Sequence, residues 1–180
     1  GSHNGGDAAS EHSGIHRFFL KKNAKIKYVE KHYGSGEGTG ERIMNPTTEM
    51  FLEEGAYMEM DTVQIKGVDS TKRVTKAELG EGATLVIKEK LMTHGKQFAE
   101  TEFTVDLNGA GSSANVVSRS VAKDTSHQVF LSKINGNNAC AGHTECDAII
   151  MDSASVSAIP EITANHVEAS LIHEAAIGKI

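Results

Sequence analysis

The sequence predicts an all-β chain of short strands, either stacked as a β-solenoid or packed as an antiparallel sandwich. Three observations predict it. Apolar and polar residues alternate at period two in one piece after another, the pattern of half-buried strands. A short phrase returns along the chain: a small or turn residue, then Ala, then alternating apolar positions. Glycine supplies 18 of the 180 residues against two prolines, Pro46 and Pro160, so turns are frequent.

Residues 1–13 (GSHNGGDAASEHS) are small and polar. They are expected as a tag-cleavage scar, Gly1-Ser2-His3, followed by a disordered leader. The core domain is expected over 14–180, with order beginning near Ile15. The phrase first appears as Asn23-Ala24 with Ile26 and Tyr28, then as Gly55-Ala56 with Met58 and Met60. It returns as Gly82-Ala83 with Leu85 and Ile87, as Ser113-Ala114 with Val116, and as Ser153-Ala154 with Val156 and Ala158. The first four copies lie 32, 27 and 31 residues apart. Spacing of that order marks repeat architectures, in which each coil buries its inward face by stacking on its neighbours. An antiparallel sandwich has the same short strands and turns, so spacing leaves both open. Phe103, Val105 and Leu107, then Val129 and Leu131, supply further alternating pieces. The stretch Val167–Ala175 has helical spacing and reads as a helix ending at Gly178. Val167, Ala169 and Leu171 also share one parity, which reads as a strand.

Composition excludes several function classes. The chain carries 18 basic and 24 acidic residues, a net charge of −6, and no basic block for nucleic acid. There is no run of 18 apolar residues to span a membrane. With no Trp, six Phe and three Tyr, aromatic platforms are scarce. Cys140 and Cys146 are too few for a disulfide framework, and a cytoplasmic protein with reduced thiols is expected. Gly34-Ser-Gly36-Glu-Gly38-Thr-Gly40 lacks the Lys and Ser/Thr ending of a phosphate loop and reads as a flexible loop. A carbohydrate-active β-helix enzyme needs clustered carboxylates, whereas the Asp residues are dispersed. The chain is not expected to be an enzyme.

The densest reactive segment is Cys140-Ala-Gly-His143-Thr-Glu145-Cys146-Asp147. Thiolate, imidazole and carboxylate together suit a soft or borderline metal, although the spacing matches no zinc finger. The bland alternative makes Cys146 a small buried residue opening a strand over Ala148–Met151, with Gly142 breaking the extended run before it. His173-Glu174 is the second candidate, able to act as ligand or base. In a strand these two point to opposite faces, and as a solvated pair they would do nothing. His94, His127, His143 and His166 are scattered and receive no role.

Four blocks near the end resemble the SufB/SufD family, core proteins of the SUF iron–sulfur cluster assembly machinery. They are Ser118-Arg-Ser-Val-Ala-Lys-Asp124, Gly142-His-Thr-Glu-Cys-Asp-Ala-Ile-Ile150, Ala158-Ile-Pro-Glu-Ile162, and Ile172-His-Glu-Ala-Ala-Ile-Gly-Lys-Ile180. The segment 15–30 (IHRFFLKKNAKIKYVE) resembles the family's entry into its core. The resemblance implies a right-handed parallel β-helix, a strand over 167–172, and a scaffold on which a nascent cluster is built. It implies iron or a transient cluster as cofactor, or none in this chain. Cys146, His173 and Glu174 match family residues, with Cys146 and His173 as implied metal ligands. Implied partners are a SufB/SufD-like subunit, in a homo- or heterodimer, and a SufC-type ATPase; neither nucleic acid nor membrane is expected. Two departures bear on this. Ala154 stands where SufB-type members carry a cysteine, which brings the chain closer to SufD. The family's C-terminal segment that docks the ATPase follows Gly-Lys-Ile, where this chain stops.

Overall fold

The period-two alternation becomes twelve strands, with no helix among the described residues. The structure is a computed structural model and describes residues 10–33, 42–65 and 69–180. The odd strands form one six-stranded sheet: β1 (Ser10–Leu20), β3 (Arg42–Leu52), β5 (Ser70–Leu79), β7 (Phe98–Leu107), β9 (His127–Gly136) and β11 (Ser155–Ala164). The even strands form the other: β2 (Lys25–Tyr33), β4 (Tyr57–Ile65), β6 (Thr84–Thr93), β8 (Ser112–Ala122), β10 (Cys140–Ile150) and β12 (Ala169–Lys179). Every pairing is parallel. Each coil places one strand in each sheet and then climbs to the next. This is a parallel β-solenoid, and the sandwich alternative falls. β1 begins at Ser10, within the stretch expected as leader, while residues 1–9 and the Gly34–Gly40 loop lie outside the described residues.

The predicted inward positions are in register. Ile26, Met58 and Leu85 are successive partners, and Ala56, Met58, Ala83 and Leu85 are buried. The recurring phrase marks the corner before the even strands. There Asn23, Gly55, Gly82 and Gly111 all take positive φ, and each of the last three coils passes its backbone N–H or carbonyl along a stacked ladder: Gly55 N to Glu81 O at 2.8 Å, Gly82 N to Ala110 O at 2.9 Å, Gly111 N to Ala139 O at 2.7 Å. Ser113-Ala114 is slipped, since Ala114 pairs with Leu85 and the turn residue is Gly111. Ser153-Ala154 belongs to the opposite corner, after Asp152, which stacks on Asp124. Gly109 is required for another reason. A Cβ there would lie 2.0 Å from the Glu81 nitrogen, where two coils touch.

Between the sheets, Met50, Met58, Leu79, Leu85, Ile87, Phe103, Val105, Leu107 and Val116 form a continuous buried core. Residues of each strand alternate between this core and the outside, as pleating demands. Pro160 lies in the edge strand β11, which a missing N–H allows.

One alternative left open by the residues is settled and one local expectation is corrected. The segment after Val167 is the strand β12, as the resemblance implied, and not a helix. Its even-numbered ladder with β10 runs from Cys140↔Ala169 to Ile150↔Lys179, and eleven paired residues outweigh a weak helical spacing. Gly142 does not break the strand. It faces inward, and a Cβ there would lie 2.9 Å from Leu171 Cδ2 and 3.0 Å from Ile134 Cγ2, so the glycine fits a tight interior. Cys146 accordingly sits in the middle of β10, not at the start of a later strand.

Candidate functional site

The three sequence-selected residues lie on the last two strands of the second sheet, and the pleat divides them. Cys146 and His173 face the interior, whereas Glu174 faces out. β12 has only β10 as a neighbour, so it is an edge strand, and its side chains are half-buried or exposed.

His173 stands opposite Thr144, whose hydroxyl lies 2.6 Å from His173 Nδ1. Burial, with the charge of nearby His143, holds this imidazole below its ordinary range. It is therefore neutral at neutral pH, with a ring nitrogen free to ligate. Cys146 stands one inward position further on, between Ser118 and Ala175 in register. It is 1% exposed. Burial first, then the charges of Glu89 and Asp147, push its thiol up to about 11. At neutral pH it is a protonated thiol and becomes a ligand only when a metal displaces the proton. Cys140 is also buried and free.

The inward column of Cys146 contains polar residues that sequence reasoning did not select. From strand to strand it runs Glu30, Thr62, Glu89, Ser118, Cys146, Ala175. Ser118 Oγ donates to Glu89 Oε1 at 2.8 Å. Across the interior, Arg73 donates from Nε to Gln64 Oε1 at 3.0 Å and from Nη1 to Glu30 Oε2 at 3.4 Å. Gln64 in turn donates to Thr71 Oγ1 at 2.8 Å. Glu89 Oε2 and Arg73 Nη2 are buried without a hydrogen-bond partner among the described residues. Burial raises the Glu89 carboxyl despite the Ser118 hydrogen bond and the Arg73 charge. A hydrogen bond from His32, with the Arg73 charge, keeps Glu30 low in spite of burial. The legible signal was parity: Glu89 occupies the inward series Leu85, Ile87, Glu89, Leu91, where a charge breaks the apolar pattern.

On the outer face Glu174 meets two residues of the Cys140–Asp147 segment, His143 and Glu145. His143 Nε2 lies 3.6 Å from Glu174 Oε2, and Glu145 is the register partner of Glu174. His143 Nδ1 lies 2.8 Å from Asn115 Oδ1 on β8. Asp147, next along the same face, has its carboxyl raised by burial first and then by Glu145. An apolar groove of about 450 Å³ begins beside it, lined by Met92, Val121 and Ile149 with Lys90 and Arg119. None of Cys146, His173 and Glu174 lines that groove. No helix among the described residues is long and apolar enough to cross a membrane.

Comparison with known proteins agrees with this architecture. A family profile described as "SUF system FeS cluster assembly, SufBD core domain" matches residues 2–180. An "Iron-sulfur cluster assembly SufBD family protein" of Archaeoglobus fulgidus is 30% identical over 173 residues, which is 96% of this chain and 46% of that protein. A protein of the same family from Methanothermobacter thermautotrophicus (strain Winter) is 30% identical, over 94% of this chain and 41% of its own length. One from Methanocaldococcus jannaschii is 28% identical, over 89% of this chain and 51% of its own. The chain thus spans about half the length of the curated relatives it matches.

Proposed function

The chain belongs to the SufBD core-domain family of the SUF iron–sulfur cluster assembly system, and from that premise we propose that it is a non-enzymatic scaffold subunit of cytoplasmic cluster assembly. Its last coil presents candidate ligands to a partner, a second SufB/SufD-like subunit, and the assembled pair works with a SufC-type ATPase. Cys146 and His173 supply a thiol and an imidazole on the inner face, and that pair suits iron or a transient cluster as cargo. Glu174 offers its carboxylate on the outer face, across the sheet from them.

The observation that carries this reading is the placement of two candidate ligands. Cys146 on β10 and His173 on β12 face the same side of two paired strands, one inward position apart. A thiol and an imidazole on one face of neighbouring strands are a ligand pair that a partner's side chains could complete.

Anaerobic reconstitution of the protein with its partner subunit, iron and sulfide tests the reading. Sulfur-to-iron charge-transfer absorption is expected, reduced by Cys146→Ser and by His173→Ala. Its absence, with the partners properly assembled, refutes the metal role of these residues. One observation favours a second reading, a structural subunit whose cluster sulfur comes from a partner: the Cys146 thiol is buried and pushed up to about 11. That reading expects Cys146→Ser to leave both assembly and cluster yield unchanged.

A further inference from the structure

Three side chains meet on the outer face of the last two even strands, separated from Cys146 and His173 by the sheet itself. Residues 143 and 145 of β10 point the same way because strand side chains alternate. β12 then places Glu174 directly opposite Glu145. One ligand atom from each of His143, Glu145 and Glu174 lies within 4.8 Å of the other two. That spread is the size of one ion's coordination sphere.

Two independent features mark the group as incomplete. The first is the orientation of His143. Asn115 Oδ1 lies 2.8 Å from Nδ1, which leaves Nε2 directed at Glu174, 3.6 Å from Oε2. An imidazole fixed through its far nitrogen by an oxygen acceptor is the usual support for a metal-ligating histidine. The second is charge. Glu145 and Glu174 stand directly opposite one another on neighbouring strands, and Glu145 also faces Asp147, whose carboxyl is raised by burial first and then by Glu145. Carboxylates so placed repel, and among the described residues the cation recorded against Glu174 is the His143 imidazole, 3.6 Å away.

We propose that His143, Glu145 and Glu174 form a binding site for a divalent first-row transition cation, held by one imidazole nitrogen and two carboxylate oxygens. The ligand set is borderline to hard and suits Fe(II), Mn(II), Co(II) or Zn(II) better than a soft, thiolate-seeking ion. The site gives Glu174 partners other than Cys146 and His173. It rests on this geometry and not on the scaffold role, so an iron supply held outside the sheet and a cluster thiol held inside it can succeed or fail separately.

Co(II) added anaerobically to the purified chain is the probe. The ion held by His143, Glu145 and Glu174 is expected to give weak d–d bands. Glu174→Gln, Glu145→Gln and His143→Asn are each expected to weaken that binding by at least about tenfold. An intense thiolate-to-cobalt band reports the inner thiol and is scored separately. His143 and Glu145 are half-buried and Glu174 is exposed, and thermal unfolding of each variant checks that the fold is kept. Unaltered binding in any of the three folded variants, or no d–d bands when Co(II) is added to the unsubstituted protein, overturns the proposal. The second outcome needs no variant to fold.

Discussion

Replacing Glu89 by Gln tests whether a buried carboxyl makes the solenoid sensitive to pH. Glu89 is 5% exposed. One oxygen accepts from Ser118 at 2.8 Å, and the other has no donor among the described residues. The Arg73 charge opposes the burial but is already shared with Glu30, 3.4 Å from Nη1. The folded protein therefore holds the Glu89 proton at pH values where the unfolded chain has released it, because burial raises the folded carboxyl. Its stabilising contribution is complete in and below the ordinary carboxylate range and is lost as pH rises from there through the raised value. A buried acceptor left without a donor costs about 1–3 kcal/mol, and an ionised one costs more, so about 1 kcal/mol is a lower bound here. Gln is neutral throughout and keeps an acceptor for Ser118. Urea unfolding at about pH 5 and about pH 8 should show the natural protein losing at least about 1 kcal/mol more than Glu89→Gln over that interval. Contributions from other titrating groups cancel in the difference. Parallel profiles would refute the reasoning, and a natural protein that gains stability relative to the variant would mean that the Arg73 pairing outweighs burial.

Three other outcomes follow from the packing. Gly109→Ala drives a Cβ to 2.0 Å from the Glu81 nitrogen, so two stacked coils must separate; overpacking of about 1–3 kcal/mol should appear as a lower denaturation midpoint, and an unchanged midpoint counts against the close approach. Phe103→Ala removes a fully buried ring that lies 5.8 Å from Phe130 and should cost about 3–5 kcal/mol in chemical unfolding. Because the Cys146 thiol is pushed up to about 11, native protein should resist iodoacetamide near neutral pH and react readily in urea. Mass spectrometry reads the difference, and rapid native alkylation of Cys146 would contradict a buried, protonated thiol.

Much of the architecture could be read from local chemistry. Alternation in segments such as Thr84–Thr93 sets which side chains go inward, and Gly55 and Gly82 mark a corner where positive φ is needed. Glu89 was equally visible as a charge on an apolar parity. His143 was not, because its neighbours at the site come from elsewhere in the chain: Asn115 is 28 residues away, and Glu174 joins only through the β10–β12 ladder. Spacing near Val167 left helix and strand open because a short sequence window cannot register the eleven parallel partners that β10 offers to β12.

By itself the sequence determined the strand-forming periodicity, the corner residues and the family-like blocks, since these depend on side-chain preferences over a few neighbouring positions. Those blocks already implied parallel stacking, which spacing alone left open against a sandwich; only the tertiary structure brought Glu145 opposite Glu174 and His143 beside them. The physical reason is that the backbone ladder pairs residues one coil apart, so a coil's length chooses the partners. Pleating then sends adjacent side chains to opposite faces.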